Sequence, residues 1–134
     1  LAVKVGGKGN VTETHIAWRV KKGASYVPSP VLVGPYFVIV SDSGIASCFN
    51  AEHGTRLWME RLGGGHSASA ITTGGLAYFV SDRGITSVLK PGPKFEVVAK
   101  NDLKELVSSS PAISQGQLFI RGHKHLYCIG KKTD

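Results

Sequence analysis

The feature that most constrains this chain is a repeat with a period of about forty residues. The segment Val40-Ser41-Asp42-Ser43-Gly44-Ile45 returns forty positions later as Val80-Ser81-Asp82-Arg83-Gly84-Ile85. Trp18 precedes Trp58 by the same interval. A unit of this length cannot bury its apolar face alone, so repeats of this kind stack on one another. The chain is therefore expected to form a repeat array.

Each repeat unit predicts four short strands separated by turns. In the first complete unit, apolar runs bounded by turn residues predict strands near 27–33, 36–41, 45–50 and 56–61. Asp42-x-Gly44 and Asp82-x-Gly84 are interpreted as hairpins between second and third strands, because Asp can bond its own backbone and Gly supplies positive φ. Four-stranded meanders at this period predict an all-β fold, a partial β-propeller of about three blades.

The repeat divides the 134 residues into one continuous propeller segment. Residues 1–23 are interpreted as the tail of a preceding unit. Residues 24–65 form unit 1, residues 66–105 form unit 2, and residues 106–134 form unit 3, which is incomplete because a fourth strand is missing. Closed propellers use roughly four to eight blades. We therefore expect either self-association through open blade edges or a piece of a longer protein.

The charge and hydrophobicity of the sequence limit the classes of partner that this chain could bind. The formal charge is +7, from 16 Lys and Arg against nine acids. These basic residues are scattered over strand ends and turns, with no aromatic-interleaved stripe, which indicates a solvated surface rather than a nucleic-acid site. No apolar run approaches the roughly 18–20 residues of a membrane helix, so no membrane insertion is expected.

The two cysteines are predicted to remain unbridged. Cys48 and Cys128 fall on the third strands of units 1 and 3. Equivalent strands two blades apart lie beyond the separation of about 7 Å that a disulfide allows between Cα atoms. Both are interpreted as buried apolar thiols, which do not indicate a compartment.

Several motifs together resemble the PQQ-like repeat of the quinoprotein alcohol dehydrogenase-like β-propellers. They are Ser29-Pro30, Tyr36-Phe37-Val38, the turn at Asp42 to Gly44, and Trp58. The segment 118–130 resembles the last blade of large bacterial exported PQQ-like repeat proteins. The resemblance implies a periplasmic or extracellular protein. Trp18 and Trp58 are then structural, because large rings on the outermost strands fill the gaps between splayed blades.

The enzymes of this family hold a quinone and Ca²⁺ at the propeller axis, and the resemblance would require an axial Asp base, metal-binding Glu and Asn, and adjacent cysteines. None of these transfers to this sequence, since Asp42 and Asp82 occupy turns and no Cys-Cys pair occurs. We therefore expect no catalytic residue, no metal and no cofactor in this segment.

Candidate binding residues are few. His66, Ser67, Ser29 and Ser109 lie at the starts of inner strands and are predicted to line an axial funnel. His123 and His125 share a face if they lie on a strand and could hold a metal with a third ligand, although a solvated turn is the preferred interpretation. The serines lack His and Asp partners at a recognisable spacing for nucleophilic catalysis.

Three functions follow, in order of preference. The first is a non-catalytic PQQ-like propeller module, a binding or scaffold platform for a protein or glycan partner. The alternative is a C-terminal fragment of a quinoprotein oxidoreductase whose catalytic residues lie in other blades. The third is polyanion binding by the basic surface.

Overall fold

The structure, a computed structural model, describes residues 1–130 and is all-β, as predicted. Its thirteen strands are β1 (Ala2–Val3), β2 (Ile16–Trp18), β3 (Val31–Val33), β4 (Tyr36–Val40), β5 (Ile45–Asn50), β6 (Arg56–Arg61), β7 (Ile71–Thr73), β8 (Leu76–Val80), β9 (Ile85–Leu89), β10 (Val97–Asp102), β11 (Ala112–Ser114), β12 (Gln117–Arg121) and β13 (Leu126–Ile129). No helix long and apolar enough to cross a membrane occurs between residues 1 and 130.

The strands form four antiparallel sheets, one in each part of the repeat. Unit 1 contains β3-β4-β5-β6, unit 2 contains β7-β8-β9-β10, and unit 3 contains β11-β12-β13, while β1 and β2 pair in the leading segment. Successive strands run in opposite directions, so the turns alternate between two ends of each sheet. We call the end that carries the β4–β5, β8–β9 and β12–β13 hairpins and the links between units the hairpin face, and the other end the opposite face.

The apolar core lies between sheets. Nine buried side chains from units 1 and 2 form the larger cluster: Val38, Val40, Ala46, Cys48, Trp58, Ala70, Ala77, Phe79 and Leu89. A smaller cluster joins units 2 and 3: Ala68, Val80, Val107 and Ile120. Burial does not alternate along the third strand of unit 1. In β5, the consecutive residues Ala46, Ser47, Cys48 and Phe49 are all buried. Both faces of this strand are covered, one by each neighbouring sheet.

The inner strands are shorter than the sequence pattern predicts. The strand predicted for 27–33 begins only at Val31. Ser67 and Ser109, predicted at the starts of inner strands, lie before β7 and β11. Proline has no N–H for the ladder, and the N–H groups before Pro30 bond elsewhere: Ser29 donates to Ser69 Oγ at 3.0 Å. Backbone that sequence patterns assign to a strand therefore links neighbouring units.

Trp18 and Trp58 each lie between their own sheet and the sheet of the next unit. The Trp18 Nε1–H donates to the Ala51 carbonyl at 2.8 Å, and the Trp58 Nε1–H donates to the Gly92 carbonyl at 3.0 Å. Both carbonyls lie in the loop between the third and fourth strands of the following unit. The Trp58 ring also packs edge-on against Phe95, with centroids 5.1 Å apart. Each tryptophan thus joins its unit to the next by packing and by one hydrogen bond.

The prediction of buried cysteines is correct for Cys48 and wrong for Cys128. Both thiols are free, but Cys128 is exposed. It lies on β13, which has no fourth strand beside it within residues 1–130. Cys48 lies between units, where burial raises its pKa to about 11.

We expect Trp58→Ala to lower the free energy of unfolding by roughly 3–5 kcal/mol, the usual cost of truncating a buried aromatic residue. Its side chain is 9% exposed and its indole N–H is bonded across the gap. Denaturant unfolding measures the change. Met59→Ala, a neighbouring residue that is 49% exposed, is the matched control. A loss below about 1 kcal/mol for Trp58→Ala would show that packing between these sheets does not depend on the indole ring.

A second prediction concerns the open flanks. Tyr26 is 95% exposed, whereas the residues at the same position in units 2 and 3, His66 and Val107, are 2% and 0% exposed. At the other end, Leu126 on β13 is 67% exposed. Unpaired edges and exposed apolar surface favour association, so we expect light scattering to show self-association at tens of micromolar protein. Tyr26→Lys with Leu126→Lys should weaken it, and a stable wild-type monomer would contradict it.

Candidate functional site

The two repeated aspartates hold the segments that enter units 1 and 2. The Asp42 carboxylate accepts the N–H groups of Tyr26 at 2.7 Å and Val27 at 2.9 Å. Asp82 Oδ1 accepts the Ser67 N–H at 2.8 Å. The Tyr26 N–H makes the largest contribution to lowering the pKa of Asp42, because it stabilises the charged form. These carboxylates therefore serve the architecture of the hairpin face.

Gly44 and Gly84 complete the same motif by allowing close packing. Their φ angles are +77° and +80°, which favour glycine. A Cβ atom at Gly44 would lie 2.3 Å from the Gly64 carbonyl oxygen, and one at Gly84 would lie 2.1 Å from the Glu105 carbonyl oxygen. Each glycine thus lets the link to the next unit cross directly over the hairpin.

Backbone hydrogen bonds extend this arrangement across all three units. Each link between units donates to the hairpin before it and accepts from the hairpin of its own unit. The bonds are His66 N to Asp42 O at 3.0 Å, Asp82 N to Gly65 O at 2.8 Å, Val107 N to Asp82 O at 3.1 Å, and His123 N to Leu106 O at 3.0 Å. The hairpin face is therefore one continuous hydrogen-bonded surface.

A row of serines links the inner ends of the units. The Ser29 N–H donates to Ser69 Oγ at 3.0 Å, and the Ser69 N–H donates to Ser110 Oγ at 2.9 Å. Ser109, one of the predicted funnel residues, instead donates its hydroxyl to the Arg121 carbonyl within unit 3 at 2.7 Å. Sequence reasoning missed Ser69 and Ser110, although the forty-residue interval from Ser29 to Ser69 was the signal that could have identified the first.

His66, one of the predicted funnel residues, lines a cavity. The cavity has a volume of about 270 Å³ and is lined by Leu62, Gly63, Gly64, His66, Ser81, Arg83, Ile85 and Ser87. Ser29, Ser67 and Ser109 are absent from it, so the structure does not bring the four predicted residues into one cavity. Both ring nitrogens of His66 are buried without a hydrogen-bond partner. Burial lowers the pKa of His66, while the nearby Asp82 carboxylate and then the Gly64 backbone act in the opposite direction.

In unit 3, the carboxylate on the hairpin face comes from the entering link and not from the hairpin. Gly122 stands where units 1 and 2 have Asp42 and Asp82, and Glu105, from the entering link, reaches the hairpin. Its carboxylate accepts the backbone N–H groups of Lys124 and His125, the latter at 3.0 Å, the Tyr127 hydroxyl at 2.6 Å, and a contact from His125 Nδ1 at 2.7 Å. A Cβ atom at residue 122 would lie 2.5 Å from Glu105 Oε1. Gly122 therefore makes room for this carboxylate.

Sequence reasoning missed Glu105, and only the loss of the aspartate at Gly122 signalled a change. The Tyr127 hydroxyl first, and then His125, lower the pKa of Glu105 to about 2. The same contact raises the pKa of Tyr127. His125 is thus one of the groups that contact the Glu105 carboxylate, while the His123 backbone N–H donates to the Leu106 carbonyl. Between residues 1 and 130, no three His, Cys, Asp or Glu side chains gather closely enough to hold a metal ion.

The carboxylates of Asp42 and Glu105 do not fit the quinone and Ca²⁺ centre of the enzymes that the sequence resembles. Ca²⁺ takes about six to eight oxygen ligands. Both oxygens of Asp42 already accept backbone N–H groups, and both oxygens of Glu105 accept donors from its own unit. Their N–H and O–H donors point positive dipoles at the oxygens a cation would need.

Comparison with known proteins identifies the fold. No protein-family model matches this chain, and no curated protein matches it. Among solved structures, the chain is similar to BamB from Moraxella catarrhalis, with a TM-score of 0.62 and 13% sequence identity. The similarity covers 72% of this chain and 29% of BamB, so this chain spans less than a third of that structure. At this identity the similarity shows the fold alone, and it confirms the predicted partial β-propeller.

We expect Glu105 to make stability depend on pH in the acid range. Its pKa is lowered from an ordinary 4.5 to about 2, so its stabilisation is complete above pH 4.5 and is lost as the pH falls through 2. Glu105→Gln should lower the free energy of unfolding at pH 7 and flatten its decline between about pH 5 and pH 2. Denaturant unfolding across this range measures both, with the exposed Glu13→Gln as control. An unchanged pH profile in Glu105→Gln would contradict the assignment.

Proposed function

We propose that this chain is a non-catalytic β-propeller module whose hairpin face is a platform for a protein or glycan partner. The continuous hydrogen bonding of the hairpin face across three units is the observation that carries this function. A surface that is already ordered loses little conformational entropy when a partner binds, so more of the contact energy appears as affinity. By the family resemblance, the module belongs to a periplasmic or extracellular protein.

The charge on this face favours a partner with acidic groups. Its acids are engaged internally: Asp42, Asp82 and Glu105 accept backbone N–H groups, and Asp102 pairs with Lys104 at 2.6 Å. Exposed basic residues without an ion pair inside residues 1–130 remain on the same face: Arg19, Lys21, Lys22, Arg83 and Lys124. Complementary charge steers a partner and fixes its orientation more than it adds affinity.

The alternative is a fragment of a quinoprotein oxidoreductase whose catalytic residues lie in other blades, and cofactor binding by this chain alone would favour it. Under the proposed function, PQQ with Ca²⁺ should leave the thermal midpoint of this chain unchanged, since a ligand that binds the native state must raise it. A scan of midpoint against cofactor concentration measures this, with Mg²⁺ in place of Ca²⁺ as control. A saturable rise that requires both PQQ and Ca²⁺ would favour the enzyme.

The platform itself is tested by selection of ligands followed by charge removal. Ligands are selected from a random peptide library and from arrayed glycans. The first variant carries Lys21→Gln, Lys22→Gln and Lys124→Gln on the hairpin face. The matched control carries Arg56→Gln, Lys90→Gln and Lys94→Gln, toward the opposite face. We expect the first variant to lose at least about tenfold in affinity, the loss of roughly 1.4 kcal/mol, and the control to lose little.

Two outcomes would contradict the platform. Ligands that respond equally to both triple variants would indicate general electrostatic attraction, because the net charge changes by the same amount in each. Random-sequence oligonucleotides that bind as tightly as the selected ligands, with a steep dependence on salt, would favour the polyanion-binding function instead.

A further inference from the structure

The links that enter units 2 and 3 correspond residue by residue. The Leu62 N–H donates to the Gly44 carbonyl at 2.9 Å, and the Leu103 N–H donates to the Gly84 carbonyl at 3.1 Å. Two residues further on, the carbonyl oxygens of Gly64 and Glu105 lie over the same two glycines. Gly64 in unit 2 therefore stands at the position of Glu105 in unit 3.

The side chain that unit 3 has at this position is missing in unit 2, and a cavity lies there. In unit 3, Glu105 extends to the β12–β13 hairpin and places its carboxylate against His125 and Tyr127. In unit 2, the cavity of about 270 Å³ lies between the link at Gly64 and the β8–β9 hairpin. It is lined by Ile85 and Ser87, which correspond in sequence to His125 and Tyr127. The cavity thus occupies the place where the neighbouring unit holds a carboxylate.

The cavity contains donors for an anion. His66 is 2% exposed, and both ring nitrogens lack a partner, an arrangement that is unfavourable unless an occupant supplies hydrogen bonds. Arg83 lines the same cavity and makes no ion pair within residues 1–130. Its guanidinium is always charged and matches a carboxylate in geometry. Ser87, 3% exposed, adds a hydroxyl.

The hairpin amides that hold Glu105 in unit 3 have other partners in unit 2. The Ile85 N–H donates to Ser81 Oγ at 3.1 Å, and the Gly84 N–H donates to the Ser81 carbonyl at 2.8 Å. Asp82 is not among the lining residues, and its Oδ1 accepts the Ser67 N–H. An occupant of the cavity would therefore meet side-chain donors, with Arg83 as the charged one.

We propose that this cavity binds a small organic carboxylate, with its carboxylate between Arg83 and His66 and its carbon chain against Leu62 and Ile85. Propionate is the natural probe, because it has the atoms of a glutamate side chain beyond Cα. The site is separate from the lysines that test the partner platform, so either proposal can fail without the other.

An NMR titration with propionate at constant pH and ionic strength tests the site. We expect saturable shifts of the His66 ring and of the Gly63 and Gly64 amides, with a dissociation constant in the millimolar range. Arg83→Gln should weaken binding at least tenfold. His66→Val, which installs the residue type that unit 3 has at this position in Val107, should abolish it. Arg56→Gln, an exposed arginine on β6, should leave it unchanged.

Ligand controls separate a carboxylate site from simpler occupants. Propionamide has the same shape without the charge, and chloride has the charge without the shape, so neither should compete with propionate. Equal binding of propionamide or chloride, unsaturable shifts as expected for a cavity filled by water alone, or unchanged affinity in Arg83→Gln would each overturn the proposal. Because Arg83 is exposed, Arg83→Gln decides the matter even if His66→Val does not fold.

Discussion

Packing between neighbouring sheets is the interaction on which the rest of this structure depends. A three- or four-stranded sheet whose strands are three to six residues long has an apolar face that only another sheet can cover. The larger core cluster accordingly takes Val38 and Cys48 from unit 1 and Phe79 and Leu89 from unit 2. Burial follows this arrangement, because Phe79 in unit 2 is fully buried whereas Cys128, on the last strand within residues 1–130, is exposed. Stability in this chain is therefore a property of pairs of units.

Polar contacts then determine how the sheets are oriented toward one another. On the outer side, the indole N–H groups of Trp18 and Trp58 reach carbonyls of the next unit. On the inner side, Ser29 and Ser69 donate their backbone N–H groups to serine hydroxyls one unit ahead. The indole donors are partly buried and would be costly to leave unpaired. Together with the exposed serine contacts on the inner side, they restrict the sheets to one arrangement.

The hairpin face shows how function can vary on a constant framework. Unit 2 places a carboxylate on the hairpin, at Asp82, and leaves Gly64 bare on the link. Unit 3 does the reverse, with Gly122 on the hairpin and Glu105 on the link. Either solution supplies a negative group to backbone N–H donors, so the fold tolerates both. The exchange changes which space remains open, and that difference creates the cavity beside His66.

The amino-acid sequence by itself determined the fold class and the pattern of four short antiparallel strands in a complete repeat. These depend on local signals, namely apolar runs, Gly-containing turns and the interval from Trp18 to Trp58, which recur without reference to distant contacts. Only the tertiary structure decided where the inner strands begin, that Cys128 is exposed, and that Glu105 replaces the aspartate of the earlier units. These three features depend on contacts between residues that are distant in the sequence, which local patterns do not specify. The His66 cavity belongs to the same class, because it arises from an absent side chain at Gly64 and a hairpin about twenty residues away.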